Sequence, residues 1–182
     1  MDDDSLEKPP AIGPVPAGLA FEDGKAVVFE VSGYSCGLPL EQVREIVPMC
    51  DLARPPGLPP LLEGLLNLRG EITPVIRMAR LFGLPPIVLR RHTQIVVLQG
   101  PAPLALLSDR VRNVSAVAPS EILPASGDSV FNDCLAGVLP AAHGPIHLLH
   151  AERLLLAQEK QRISELREIA QRRLAELEGV GP

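Results

Sequence analysis

The chain has 182 residues, a formal net charge of −5 and 46% hydrophobic residues, with four Phe, one Tyr and no Trp. This length accommodates one ordinary domain or two small intertwined ones, with a core built from Leu, Val and Ile. The net negative charge argues against a nucleic-acid partner, which needs a basic surface to displace counterions from phosphates, and the few aromatic side chains form no pattern of stacking platforms for bases.

The N-terminal segment, residues 1–22, begins with acidic side chains and then carries four prolines separated by small residues. This composition is typical of a flexible leader. No apolar segment follows the acidic start, so no signal peptide is predicted, and the longest apolar runs fall well short of the about 18 residues of a membrane span. The sequence therefore predicts a soluble, cytoplasmic protein without direct membrane insertion.

A literal G-x-S-x-G pattern occurs at residues 33–37, where it would make Ser35 the nucleophile of an α/β-hydrolase. That pattern works only where a strand leads the serine into a sharp turn and a helix follows. Here residues 25–31 are rich in β-branched side chains, Ser32-Gly33 signals a tight turn, and apolar and polar residues then alternate. Because Pro39 also prevents a helix from starting, the segment is predicted to be a β-hairpin with Ser35 in mid-strand.

Short apolar runs separated by Gly- and Pro-containing turns follow one another as far as residue 149. Their spacing is typical of a β-sandwich or of small β-barrels. A β-α-β sheet is not expected, because the gaps are too short for crossover helices. The predicted strands are 27–31, 34–40, 43–49, 65–68, 72–76, 94–98, 104–108, 111–117, 135–139 and 146–149.

Helices are predicted at three places. Residues 59–64 and 78–83 each end in glycine and are predicted to be short helical turns between strands. Residues 151–178 contain no Gly or Pro and predict a long C-terminal helix. Its apolar stripe is expected to pack on the β body over the first two turns, and packing, a short coiled coil and a partner-docking helix stay open for the remainder. The stripe consists of Leu156, Ile163, Leu166, Ala170, Leu174 and Leu177.

No motif of catalysis or metal binding stands out. The three cysteines, an odd number without a C-x-x-C pair, predict reduced thiols rather than a disulfide framework or a zinc site. His143, His147 and His150 form an H-x-x-x-H-x-x-H pattern, but Gly144-Pro145 interrupts any helix between them, so turn and surface histidines are predicted. Neither a P-loop nor G-x-G-x-x-G is present. We therefore expect no catalytic residue, no metal and no cofactor.

The most informative stretch is 64–76, GLLNLRGEITPVI, where Asn67 and Arg69 lie between two apolar strand-like runs and Gly70 permits a bend directly after the arginine. Two interpretations stay open from this stretch alone. In one, Asn67 caps a turn and Arg69 is an ordinary surface charge. In the other, these polar residues belong to a functional site.

Several weak motifs of this chain, in a fixed order, resemble those of the CheW family of chemotaxis coupling proteins. Their order is far more specific than any single motif, and they extend from about residue 26 to residue 156. They are YSCGLPL at 34–40, VREIV at 43–47, GLLNLRG at 64–70, TPVI at 73–76, ALLSDRV at 105–111, Gly137, and LLHAERLL at 148–155.

The resemblance implies an all-β, CheW-like fold of two packed SH3-like five-stranded β-barrels, with short connecting helices and a long C-terminal α-helix. It also implies three parts of the chain: a flexible acidic and Pro-rich leader at 1–22, a CheW-like domain of two β-barrel subdomains at 23–155, and a C-terminal helical extension at 156–182.

The resemblance further implies a non-enzymatic scaffold that couples methyl-accepting chemoreceptors to a CheA-type histidine kinase in two-component signal transduction. Expected partners are the cytoplasmic tip of the receptor, the regulatory domain of the kinase and other CheW-like proteins, with recruitment to receptor arrays at the membrane. The positions that match the family's partner-binding residues are Val43, Glu45, Gly64, Asn67, Arg69 and Gly70. Arg69 is expected to contribute most.

Two features depart from the family pattern. Arg77 and His150 stand where members often carry an acidic or amide residue, and the helix beyond Leu156 exceeds that of a minimal coupling protein. A specialised paralogue is therefore an alternative, as is a CheW-like regulatory module that sequesters or inhibits the kinase. The alternative from another class is a serine hydrolase that uses Ser35.

Overall fold

A computed structural model describes residues 21–125, 131 and 134–179, so most of the predicted leader lies outside the described residues. All ten strands predicted from the sequence are confirmed. They are β1 (Lys25–Val31), β2 (Tyr34–Pro39), β3 (Val43–Pro48), β4 (Leu62–Leu68), β5 (Glu71–Ile76), β6 (Gln94–Leu98), β7 (Ala105–Ser108), β8 (Arg110–Ala116), β9 (Leu135–Leu139) and β10 (Ile146–Leu149).

The helical turn predicted at 59–64 is wrong. The Leu62 N–H donates to the Pro59 carbonyl at 2.9 Å, which closes an isolated turn, and β4 begins at Leu62. The strand forms because Leu62 and Leu65 are buried in the core and because strand pairing supplies backbone partners: Leu65 exchanges two hydrogen bonds with Ala53, at 2.9 and 3.0 Å, while β4 pairs with β5. The helix predicted at 78–83 is confirmed as α1 (Met78–Leu81).

The strands form two five-stranded sheets with the same topology. The strand order is β8-β1-β2-β10-β9 in the first sheet and β3-β6-β7-β5-β4 in the second. In each sheet a three-stranded antiparallel unit and a two-stranded antiparallel pair meet at one parallel pair of strands, β2 with β10 or β7 with β5. The chain moves between the sheets, since the first sheet takes its strands from both ends of the domain. The two units are therefore intertwined.

The strand pairings among the described residues do not close either sheet into a ring, and the closed SH3-like barrels stay a prediction. In the second sheet β6 and β7 separate β3 from β5, yet the long side chains of Arg44 on β3 and Glu71 on β5 meet, with Nη1 at 2.7 Å from Oε2.

Buried apolar side chains in the described part of the chain form three clusters. Two of them lie within a single sheet each. The third, which we call the central cluster, combines residues of both sheets, such as Phe29 and Leu38 of the first with Ile76 and Leu106 of the second. The central cluster therefore joins the two sheets into one hydrophobic unit.

The long helix α2 (Ala157–Gly179) begins later than predicted. A 3₁₀ turn at Ala151–Arg153 precedes it, and burial of Leu154 and Leu155 holds the chain against the body before the helix starts. Glu159 then accepts a hydrogen bond from the Leu156 N–H at 2.8 Å, the return contact of a capping box.

Packing of α2 extends beyond the first two turns. Ile163 is buried, and Leu166, Ala170 and Leu174 pack against the central cluster. Leu156 at the start and Leu177 near the end of the predicted stripe are 71% and 78% exposed. Most of the stripe therefore covers the β body, and the division at residue 156 into domain and extension stays a prediction.

Candidate functional site

The candidate site begins at β3, an edge strand of the second sheet. Val43 and Glu45 lie on the same, partly buried face of β3, and Val43 packs against the central cluster. A register shift between Val43 and Glu45 places Arg44 in a bulge that interrupts the pairing with β6. The sequence alternation thus holds Val43 and Glu45 in place while it directs Arg44 outward.

The turn between β4 and β5 supplies the other half of the site. Leu68 pairs with Glu71, which leaves Arg69 and Gly70 as a two-residue hairpin loop with φ of +56° and +89°. Positive φ at both positions is typical of a type I′ turn, which glycine adopts readily and arginine does not. The Asn67 side-chain carbonyl accepts a hydrogen bond from the Gly70 N–H at 2.8 Å. Asn67 therefore holds the turn closed.

Charges link the two halves. The Arg69 side chain is 82% exposed, and its Nη2 lies 3.8 Å from Oε2 of Glu45. Arg44 contacts both carboxylates, Glu71 at 2.7 Å and Glu45 at 3.5 Å. The hydrogen bond to Glu71 raises the pKa of Arg44. These four side chains, Arg44, Glu45, Arg69 and Glu71, form what we call the charged rim.

Exposed ion pairs contribute little to folding stability. The charged rim therefore presents hydrogen-bond donors and acceptors at the surface while it contributes little to folding stability. Arg69 has most of its guanidinium N–H groups directed to solvent, since its nearest carboxylate is a single long contact. A guanidinium presents its donors in a rigid planar fork that binds carboxylates or carbonyls directionally.

Gly64 differs from the other predicted site residues, because it is buried. A Cβ built at Gly64 would lie 2.5 Å from the Leu52 Cβ and 3.0 Å from the Ala53 carbonyl oxygen. The chain at Leu52 and Ala53 crosses directly over β4 and bridges to Leu65. Gly64 therefore permits a close backbone approach, and any effect it has on a partner passes through packing.

Sequence reasoning missed Arg44 and Glu71 as neighbours of Arg69. Their charges are visible in the sequence, but residues 44 and 71 lie on strands that are not neighbours in the sheet, so the sequence does not show that their side chains meet. Arg77, which stands where family members often carry an acidic or amide residue, forms an ion pair away from the charged rim. Arg77 donates from Nε to Oε2 of the buried Glu63 at 2.7 Å, and Arg54 forms a second ion pair with the same carboxylate.

The G-x-S-x-G segment is the predicted β-hairpin. Ser32 and Gly33 have φ of +48° and +86°, again a two-residue loop, and Ser35 lies in β2 opposite Glu30. The described residues after Ser35 continue as a strand and a 3₁₀ turn, whereas a nucleophile elbow requires an α-helix. His147 approaches the backbone carbonyl of Ser35, with Nδ1 at 3.0 Å from that oxygen.

The histidine prediction is partly wrong. His143 is exposed in a turn, but His147 stacks edge-on against Tyr34, and His150 is buried behind β10. Burial lowers the pKa of His150, with a further contribution from Arg153. No three metal-ligating side chains converge within the described ranges. His147 and His150 are not exposed surface residues, because the side chains in and directly after β10 pack against the core.

Cys36 and Cys50 are free thiols, whereas the Sγ of Cys134 donates to the Arg153 carbonyl at 3.0 Å. Cys50 is exposed, and Cys36 and Cys134 are buried. Burial raises the pKa of the Cys36 thiol, which keeps it protonated and unreactive.

Comparison with known proteins identifies the family. The model of the CheW-like domain matches residues 25–159. The chain belongs to the CheW family. A solved structure described as the scaffolding protein TtCheW from Thermoanaerobacter tengcongensis has the same fold, with a TM-score of 0.69 and 24% sequence identity over 74% of this chain and 88% of that one. A search of curated proteins finds no match.

Members of the CheW family are scaffold proteins rather than enzymes. Among the helices of the described CheW-like chain, none combines the length and the apolar character needed to cross a membrane.

Proposed function

We propose that this CheW-like protein is a scaffold that couples methyl-accepting chemoreceptors to the regulatory domain of a CheA-type histidine kinase, and that it is recruited to receptor arrays. One observation carries the proposal: Arg69 is exposed on a hairpin turn that Asn67 closes, beside the carboxylate of Glu45. A rigid turn presents the guanidinium at low entropic cost, since few torsions must be fixed on binding. The charged rim then sets the register of the partner.

The remaining predicted residues support the same surface in different ways. Val43 and Glu45 provide the strand that borders the turn, Gly70 supplies the positive φ, and Gly64 fixes β4 beneath the crossing segment. Other CheW-like proteins are further candidate partners, because they share this fold. No cofactor is assigned.

The first test is Arg69→Ala. We expect at least about a tenfold loss of affinity for a chemoreceptor tip fragment or for the kinase regulatory domain, measured by isothermal titration calorimetry, because a buried bidentate contact to arginine is a frequent hot spot. The Tm should stay nearly unchanged, since the Arg69 side chain is largely exposed. Arg91→Ala, an exposed arginine outside the rim, is the control. Equal losses of Tm and affinity would favour a purely structural turn.

A second experiment separates a coupler from a sequestering module. Receptor fragment and kinase regulatory domain are added together and complexes are resolved by size-exclusion chromatography with light scattering. A coupler forms a ternary complex, whereas a module that sequesters the kinase excludes the receptor. Labelling of Ser35 by a fluorophosphonate probe would contradict both the coupler and the sequestering module, and it would support the hydrolase alternative.

A further inference from the structure

The side chain of Gln171 on α2 binds the backbone of the turn that carries Arg69. Its Nε2 donates to the Gly70 carbonyl, and its Oε1 accepts from the Ile72 N–H, both at 2.8 Å. Residues 70 and 171 are 101 positions apart in the sequence. One side chain thus joins the C-terminal helix to the start of β5 through two hydrogen bonds.

These two backbone groups lie on the edge of β5 that faces away from β4. The Leu68–Glu71 pair closes the turn toward β4, so the polar groups of Ile72 face the opposite edge. On that edge β5 pairs with β7 at Val75 and Ile76. Pro74 in between has no N–H to donate. Gln171 therefore takes the place of a neighbouring strand at residues 70–72.

Glutamine suits this role chemically, because a carboxamide donates and accepts at the same time, as a peptide unit does. The position of Gln171 is itself well determined. Ala170 and Leu174, on adjacent positions of the helix, pack against the central cluster, and Ile163 is buried two turns earlier. The helix backbone at residue 171 is therefore anchored to the same body that carries β5.

We infer that Gln171 is a positioning residue for the Arg69 turn, and that α2 supports the partner-binding surface through this contact. The inference rests on the proposed function of that turn. Gly70 follows Arg69 directly, so a fixed Gly70 carbonyl and Ile72 amide limit the backbone orientations from which the guanidinium projects. Without the two hydrogen bonds from Gln171, the Asn67 contact still closes the loop, but the Arg69 side chain samples a wider range of orientations.

The first test is Gln171→Ala in the full-length chain. The Ile72 amide, followed by hydrogen-exchange NMR, is expected to exchange at least about tenfold faster, because it loses its acceptor. Affinity for the receptor tip fragment or the kinase regulatory domain is expected to fall about three- to tenfold, as expected for two neutral hydrogen bonds that act through orientation. Gln161→Ala is the matched control, since Gln161 bonds only Glu165 on its own helix among the contacts described.

A merely structural role is distinguished by two further variants. Leu174→Ala weakens helix packing while it leaves the carboxamide in place, and we expect it to lower Tm with a smaller loss of affinity than Gln171→Ala. Gln171→Glu retains the acceptor for Ile72, but an ionised carboxylate cannot donate to Gly70. Its affinity deficit, measured relative to the natural chain at each pH, should shrink between pH 7.5 and pH 5, because protonation restores the donor.

The outcomes separate the two proposals. If Arg69→Ala loses binding while Gln171→Ala binds like the natural chain, the positioning role of Gln171 is refuted and the proposed function survives. If Arg69→Ala binds normally, the proposed function of the turn fails, whatever the Ile72 amide shows. Two further results would overturn the inference. One is a loss of affinity that is proportional to the loss of Tm in both Gln171→Ala and Leu174→Ala. The other is an affinity loss in Gln171→Glu that is the same at pH 7.5 and pH 5.

Discussion

At the scale of single residues, the glycines near the candidate site have different physical reasons for being glycine. Gly70 adopts a φ of +89° with open space where a Cβ would lie. Gly64 has an ordinary backbone conformation, but the chain at Leu52 and Ala53 occupies the space of a Cβ. Gly137 of β9 has the same relation to Ile122 and Leu123 in the first sheet. Both sheets thus use a glycine where a segment crosses a strand.

Gly64→Ala should destabilise the fold by about 1–3 kcal/mol, because the new methyl group meets a Cβ and a backbone carbonyl that cannot move aside without shifting the crossing segment. Urea unfolding followed by circular dichroism measures the loss. Affinity for a partner should fall together with stability, in contrast to Arg69→Ala. Gly100→Ala, at a glycine with open space and no positive φ, is the control. A Gly64→Ala variant with unchanged stability would show that the crossing segment gives way.

At the scale of elements, β8 is an edge strand of the first sheet and pairs with β1. Its exposed face carries Val114, half exposed, and the strand is tied to β1 by two arginines, Arg110 and Arg112, that share the Glu30 carboxylate. The hydrogen bond from Arg110 lowers the pKa of Glu30, with Arg112 acting in the same direction against the effect of burial. Charges on an edge strand also discourage pairing with another chain.

The lowered pKa of Glu30 predicts a pH dependence of stability. The folded state holds the carboxylate ionised below the ordinary pKa of about 4.3, so the contribution is fully present above that value and is lost as pH falls through the lower, folded value. Urea midpoints measured from pH 6 to pH 3 should fall less steeply for Glu30→Gln than for the natural chain. Glu176→Gln, exposed on α2, is the control. Parallel curves for the natural chain and Glu30→Gln would contradict the prediction.

At the scale of the whole molecule, the central cluster joins the two sheets and α2. Phe29 and Leu38 come from the first sheet, Ile76 and Leu106 from the second, and Ile163 from the helix. Neither sheet can separate without exposing this shared apolar surface, which costs roughly 25 cal/mol for each Å². The two sheets are therefore expected to unfold as one cooperative unit despite their similar topologies.

Cooperative unfolding is checked with two probes. Tyr34 is the single tyrosine of a chain without tryptophan, and its ring contacts Phe131 and His147 beside the first sheet. Its fluorescence reports that region, whereas far-ultraviolet circular dichroism reports both sheets. The urea midpoints from the two probes should coincide. Two separate transitions would show that the sheets are independent domains.

The strands and the hairpin turns were predictable from the sequence, because they depend on local patterns. Alternating apolar residues and Gly or Pro breaks give the period and limits of a strand, and all ten predicted strands are present. The turn at Asn67, Arg69 and Gly70 was also visible as a polar interruption with a glycine. Local signals failed at 59–64, where proline and glycine resembled helix ends but strand pairing prevailed.

By itself, the sequence determined the ten strands, the family resemblance and the identity of the exposed arginine, since each depends on local patterns or on the order of short motifs along the chain. Only the tertiary structure decided which distant residues meet: the approach of Arg44 to Glu71, the crossing of Leu52 over Gly64, and the contact of Gln171 with Gly70 and Ile72. The physical reason is that such contacts follow from the arrangement of strands in the sheet and from helix docking. These are set by the packing of the whole core and leave no periodic trace in the sequence.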